Sequence, residues 1–488
     1  MERSSCAQMC LQDEQRWAIQ HFGESELGDR RRTCRLVELA AAMARNPQMS
    51  LPKQLPDWSD LIGAYRFLSN PGVDPQKILA PHHRLVRQEA GGYPVVLCIQ
   101  DDTQLDFTCR TGMEGLGLTG DGFGKGLLQH TALAVLPPAS SSVSSGKGRL
   151  LGVLDLAFHA IEKAKKNEKR RERQSRWTKT DVWQEAAQRI GFWSGSGSEG
   201  SMLVHVGDRH ADLFRFLRCA VDLRHQFVVR AMHDRKLYQE PEQKLWETLK
   251  AAPVLGKITV SISKQRDKGN RIKRRSRKAK LSIRTAPVQI GPPVNDPRTA
   301  GCQALEVWAI HLVEQNPPAG EEPVEWMLLS SLPAATLAEA MILIGYYLCR
   351  WMIEEWHRCL KQGCRIQASQ LDHAQDVCRL GAIMAVLATR LLQMRDLADQ
   401  PTAGKSVSTS CLKDQVPWMY LLIIAQLAEV KPEQLTSKLM LLTIAKRGGY
   451  LARKHDRRPG WIVLWRGWSD IVQMAQGAEL YKRYRGTR

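Results

Sequence analysis

From Tyr93 onward the apolar residues stop recurring at helical spacing and come in short strand-like runs at 95–99, 131–136 and 150–156. These runs predict consecutive strands of one sheet. A helix near 182–189, a strand at 202–206, a helix at 212–218 and a strand at 226–230 follow, and this alternation predicts a mixed α/β sheet. The flanks read differently. Leu36, Leu39, Ala40 and Met43 form one helical stripe that stops near Asn46-Pro47, and Ala64-Tyr65-Arg66-Phe67-Leu68 forms a second that ends at Asn70-Pro71. Residues 1–85 are therefore expected to be helical, and the chain returns to helical spacing beyond Arg365.

At 488 residues the chain is long enough for two to four domains. Lys and Arg number 70 against 50 Asp and Glu, a net charge of +20, and this excess points to a polyanion, most economically nucleic acid. A composition with 43% hydrophobic and 25% charged residues excludes a mostly disordered basic tail. Apolar stretches at 334–348, 380–392 and 418–428 are short or broken by Glu339 and Arg390, so no membrane span is expected. The opening Met1-Glu2-Arg3-Ser4 lacks an apolar signal core, which predicts a cytoplasmic protein. Twelve cysteines without a C-x-x-C pair suggest reduced thiols rather than disulfides or zinc.

The basic residues are not spread evenly. Arg30, Arg31 and Arg32 follow Gly28-Asp29 at the start of the first strong helix, where Asp29 can cap the helix and the arginines can face phosphates. Between 237 and 318 the chain is strand-like and basic, and Lys273, Arg274 and Arg275 sit near the tip of an expected hairpin built from the strands at 258–262 and 281–283. Such a ribbon fits a phosphate-tracking arm. Gly115-Leu116-Gly117-Leu118-Thr119-Gly120 matches G-x-G-x-x-G, but it neither follows a strand nor opens a helix, and Gly124-Lys125-Gly126 lacks the hydroxyl of a phosphate loop. Nucleotide binding is rejected on that context.

Three acids stand in a more informative pattern. Asp101 and Asp208 each follow an apolar strand, so they are expected just past strand ends, where α/β sheets place their chemistry. Tyr347, Arg350, Glu354 and Lys361 are separated by three, four and seven residues. On one continuous helix they fall within roughly 60° of one another along about 21 Å. Glu355 points to the other side of that stripe, which leaves Glu354 as the candidate carboxylate. Three carboxylates can hold two Mg²⁺ ions that activate a water or a 3′-hydroxyl and stabilise the leaving oxygen of a phosphodiester.

These residues resemble the DDE transposases of the insertion-sequence-four type. Tyr347, Arg350, Glu354 and Lys361 match the family's Y-x2-R-x3-E-x6-K signature, Asp101 and Asp208 match its first two acids, and likeness extends to Gly28–Thr33, Ala64–Phe67, Gly448-Gly449-Tyr450 and Leu464–Trp468. Asp102 follows Asp101 directly and stays open as the alternative ligand; the phase Ile99–Asp101 matches the family's, so the resemblance favours Asp101. Relatives often carry an acid where this chain has Gln367.

The resemblance implies an α/β protein with an RNase H-like catalytic core at 90–372, interrupted by a β-rich basic insertion at about 237–318. It also implies an N-terminal helical domain (1–85) that binds transposon ends and a C-terminal helical domain (373–488) that dimerises. The implied cofactor is a pair of Mg²⁺ ions, replaceable by Mn²⁺. The implied activity is nicking, hairpin formation, excision and joining of element ends to target DNA by a homodimer. Tyr347, Arg350 and Lys361 would contact phosphates near the end, and Trp326 would stack on a flipped base. Two other readings remain open: a catalytically decayed inhibitor that binds ends without nicking, and a general two-metal nuclease without end preference.

Overall fold

A computed structural model describes residues 12–120, 122–138, 148–163, 176–193, 200–262, 264–266, 272–399, 416–456 and 459–486. The chain begins with helices α1 (Glu14–Phe22), α2 (Arg30–Arg45), α3 (Leu51–Gln54), α4 (Trp58–Leu68) and α5 (Pro75–Ala90). Asp13, Asp29, Asp57 and Asp74 each accept a backbone N–H at the start of α1, α2, α4 and α5, which satisfies donors that a helix start leaves unpaired. Leu36, Leu39, Ala40 and Met43 of α2 are buried in one core with Trp17, Phe22 and Leu68. This core is continuous with the sheet. Gln76 of α5 donates to the Leu156 carbonyl at 2.7 Å, and His82 accepts the Val153 N–H at 3.0 Å.

The sheet comprises β1 (Val95–Asp106), β2 (Gly117–Thr119), β3 (Gly124–Leu136), β4 (Arg149–His159), β5 (Met202–Gly207), β6 (Gln226–Arg230), β7 (Gly256–Ile262), β10 (Arg277–Ile290), β11 (Leu305–Glu314) and β12 (Glu325–Ser330). Short strands β8 (Gln265–Arg266) and β9 (Ile272–Arg274) pair separately. The order is β2-β3-β1-β5-β6-β12-β11-β10-β7, with β4 also on β3. β1–β5 and β5–β6 are parallel, and the remaining pairings are antiparallel. Helix α6 (Asp181–Ile190) packs against β3, β4 and helix α7 (Phe214–Asp222), and α7 packs against β6.

One expectation changes here. The basic insertion joins the large sheet, since β12 pairs with β6 through Leu328 and Arg230 and β11, β10 and β7 follow on it. Within it lies a helix, α8 (Leu245–Ala251), that the strand-like reading does not contain. The expected hairpin does form, with Leu281 opposite Ile258 and Arg277 opposite Ile262.

Beyond the sheet come α9 (Leu337–Leu348), α10 (Trp351–Arg358), α11 (Ala374–Asp399), α12 (Trp418–Leu427), α13 (Ser437–Arg447) and α14 (Trp461–Gly486). Residues Ala374–Arg395 of α11 are long and apolar enough by composition to cross a membrane, a longer stretch than 380–392, yet their most apolar window is buried inside the protein. α11 is the central strut. Its Arg379 donates to the carbonyls of Val73 and Leu68, Gln393 donates to that of Leu151, and Thr389 accepts from the Trp356 indole. Arg390 sits over Trp17 and beside Glu14, whose carboxylate also accepts the Tyr420 hydroxyl. These polar side chains are buried but bonded, as interior charges must be.

Candidate active site

The sheet register brings the first two acids together. Ile99 of β1 lies opposite Val206 of β5 in the parallel pair, and Asp101 and Asp208 each follow by two residues. Asp208 does stand past the end of its strand, where it caps the short turn Arg209–Ala211 by accepting the His210 N–H at 2.8 Å. Asp101 does not. It lies inside β1, because that strand leaves β5 after Ile99 and continues as a ribbon paired only with β3, where Thr131 is directly opposite Asp101.

The third acid arrives from a broken helix. The single stripe expected from Tyr347 to Lys361 is interrupted: α9 ends at Leu348 and α10 begins at Trp351. At the junction the N–H groups of Cys349, Arg350, Met352 and Ile353 bond three residues back, a tighter winding than an α-helix. Tyr347 therefore stays on α9, buried, in an edge-on contact with Trp326 at 5.6 Å between ring centroids. After α10 the chain loosens into a π-turn, Cys359–Gly363, closed by Cys364 N–H to the Cys359 carbonyl. Such turns re-aim side chains. Here Lys361 is directed onto β1, where its ammonium donates to Thr103 Oγ1 and to the Gln104 carbonyl, both at 2.7 Å.

Arg350 joins the acids. Its guanidinium donates to Glu354 Oε1 at 2.7 Å and to Asp101 Oδ2 at 3.4 Å. Glu355 is engaged elsewhere, paired with Arg395 of α11, which agrees with Glu354 as the carboxylate facing the sheet. Arg230 on β6 donates to the Glu325 carbonyl at 2.9 Å, and burial holds its guanidinium below the ordinary arginine value.

Burial pushes the Asp101 carboxyl up to about 7, with Asp208 and Asp102 adding repulsion and Arg350 opposing. Burial also raises Asp102, which Asp208 reinforces and His210 and Lys179 counter. Both shifts report negative charge crowded in a poorly solvated place. Among the described residues no three His, Cys, Asp or Glu side chains already converge on a point that could hold an ion. The donor chemistry still suits a hard divalent cation: carboxylate oxygens only, with an excess of negative charge. Arg350 pairs with two of these carboxylates, Asp101 and Glu354.

The other predicted contacts are spread over the molecule. Arg30 is exposed, Arg31 is exposed but paired with its own helix cap Asp29 at 2.9 Å, and Arg32 turns back onto the Leu27 carbonyl at 3.0 Å. Residues 267–271 and the side chain of Lys273 lie outside the described residues. Arg274 is half-buried, and Arg275 is exposed with its backbone N–H near Glu321. Trp326 is half-buried on β12. Gln367 donates to the Asp106 carbonyl at 3.2 Å, a bond that a carboxylate at this position could not make. A cavity of about 510 Å³ lined by Gln184, Phe214, Arg215 and Arg298 lies on α6 and α7, and none of the three acids lines it.

Sequence reasoning passed over Thr103, Thr131 and His357. His357 had a readable signal, because it lies seven residues after Arg350 and so within roughly 20° of it on a helix. Residues 14–73, which cover α1, α2, α3 and α4, match the family described as transposase DNA-binding. That match supports a DNA-binding transposase.

Proposed function

We propose that this protein is a cut-and-paste DNA transposase of the DDE type, with Asp101, Asp208 and Glu354 as its catalytic acids. The observation that carries the reading is the matched register of Asp101 and Asp208 beyond Ile99 and Val206, with Arg350 linking Asp101 to Glu354. The strand order β4-β3-β1-β5-β6 supports the RNase H-like core. The transposase DNA-binding match at 14–73 supports recognition of element ends. Leu480, Tyr481 and Tyr484, all more than half exposed near the end of α14, support a dimerisation surface.

Asp101, Asp208 and Glu354 would hold Mg²⁺ or Mn²⁺, which supplies an activated water or 3′-hydroxyl and neutralises charge at the phosphorus. The chain's own groups do the rest. Lys361, fixed by Thr103 and Gln104, presents a cation beside β1. Burial holds that ammonium below the ordinary lysine value, so pairing with a phosphate compensates a desolvated charge. Arg350 already neutralises two of the acids and can offer the same guanidinium to a backbone phosphate.

The test is incubation of the purified protein with a labelled duplex carrying the element's own terminal repeat, with Mg²⁺ or EDTA, resolved on a denaturing gel. Nicks at the repeat boundary followed by hairpins are expected. A shifted but uncut duplex would instead support an end-binding inhibitor, and cutting without end preference a general nuclease.

A further inference from the structure

Helix α10 meets the sheet through more than its carboxylate. Arg350 reaches Asp101 on β1, His357 Nε2 lies 3.3 Å from Thr131 Oγ1 on β3, and the following turn sends Lys361 to Thr103 on β1. Thr131 is the residue directly across from Asp101 in the β1–β3 pairing. The His357 contact therefore joins the helix of Glu354, three residues away, to the cross-strand neighbour of Asp101.

The hydrogen-bond roles are set by the neighbours. Gln129 Nε2 donates to Thr131 Oγ1 at 3.0 Å, so that hydroxyl has its own proton free to donate to His357 Nε2. Burial with Lys361 nearby pushes His357 down to about 3. The ring is neutral, which leaves Nε2 able to accept. Arg350 and Lys361 are charged and in position to be drawn to a phosphate. His357 and Thr131 are both enclosed, and their bond has no such competitor.

We propose that His357 is a positioning residue: through Thr131 it fixes the register of the Glu354 helix on the strand of Asp101, and with it the separation of the two acids. The inference rests on the reading of those acids as the catalytic set. Residues that orient a site from behind in this way typically contribute 10–100-fold in activity.

The experiment measures single-turnover nicking of a saturating terminal-repeat duplex in Mg²⁺, with end affinity by gel shift, for wild type, His357→Leu, His357→Gln, Thr131→Val, the Leu/Val double variant and Asp101→Asn. The expected result is a loss of roughly 10–100-fold in nicking rate for His357→Leu and Thr131→Val, with end affinity within about twofold of wild type. The double variant should be no worse than Thr131→Val alone, because that variant already removes the bond to His357 together with the one from Gln129. His357→Gln, which retains an acceptor near the Nε2 position, should recover part of the rate. If His357→Leu does not fold, Thr131→Val, which removes only the hydroxyl, decides alone. Nicking by Thr131→Val or a folded His357→Leu at the wild-type rate overturns the inference while Asp101→Asn remains inactive. An uncut duplex with wild type, or an active Asp101→Asn, overturns the catalytic reading and this inference together.

Discussion

Asp101 and Asp208 stand at the same step beyond one register pair, Ile99 opposite Val206 in the parallel β1–β5 ladder. Side chains two residues apart on a strand share a face. Ile99 and Val206 point into the core that also buries Ile353 and Trp356 of α10. The Asp101 carboxylate emerges on the same side, where Arg350 and Glu354 meet it.

That placement costs stability at neutral pH. A carboxyl raised to about 7 when folded binds more protons in the native than in the unfolded chain between roughly pH 4 and 7, so its contribution to stability falls as pH rises through that window. Asp101→Asn should therefore be more stable than wild type at pH 8, by a few kcal/mol at most, and show little gain at pH 4. Melting temperatures at the two pH values check this, and an equal gain at both would contradict it.

Buried histidines act in the opposite direction. His21 and His82 contact each other between α1 and α5, while His225, His205, Gln100 and His130 form a hydrogen-bonded chain across the sheet. Burial holds all five rings well below the ordinary histidine value, His21 at about 3 and His225 at about 4. The unfolded chain protonates them first, so stability should fall as pH drops below about 6.5. Denaturant midpoints measured from pH 7 to pH 4.5 should decrease steadily. A flat profile would mean that these rings remain accessible to protons.

Lys278 and Lys280 of β10 are exposed and lie opposite Ser261 and Thr259 of the edge strand β7, while Ala279 and Leu281 of the same strand are buried. One face of the ribbon is thus cationic. If it tracks DNA, Lys278→Ala with Lys280→Ala should weaken binding on every sequence alike and lower the salt slope of log K by about 1 for each phosphate left without its lysine. An unchanged slope would remove the ribbon from the DNA path.

Gly448 and Gly467 mark the crossing of α13 and α14. A Cβ at Gly448 would come within 1.8 Å of the Val463 carbonyl oxygen, and one at Gly467 within 1.8 Å of that of Ile444. The obstruction is backbone, which cannot swing aside. Gly467→Ala should cost about 1–3 kcal/mol or more, read as a lower melting temperature. A neutral effect would contradict the close crossing.

Much of this was legible in the sequence where the signal is local. Hydrophobic period pointed to the N-terminal helices and to the strands at 95–99, 131–136, 150–156, 202–206 and 226–230, and Asp29 was readable as the cap of α2. What escaped depends on partners distant in the chain. The length of β1 is set by β3, which keeps the strand going past Asp101 after β5 has ended. The helix break at Cys349-Arg350 and the π-turn before Cys364 carry no proline or glycine signal at their start; tertiary contacts, Tyr347 on Trp326 and Lys361 on Thr103, accompany the departure from even winding. The joining of the basic insertion to the core sheet rests on the β12–β6 pairing, which no local pattern announces.

The central claim is that three acids, supplied by β1, the turn after β5 and α10, form one catalytic set. It is tested most directly by cleavage of the labelled terminal-repeat duplex in Mg²⁺ by wild type, Asp101→Asn, Asp208→Asn and Glu354→Gln, each first shown to shift that duplex. The account predicts metal-dependent nicks with wild type and a loss of at least about a thousandfold with each variant at nearly unchanged binding. Cleavage at the wild-type rate by all three variants would contradict it.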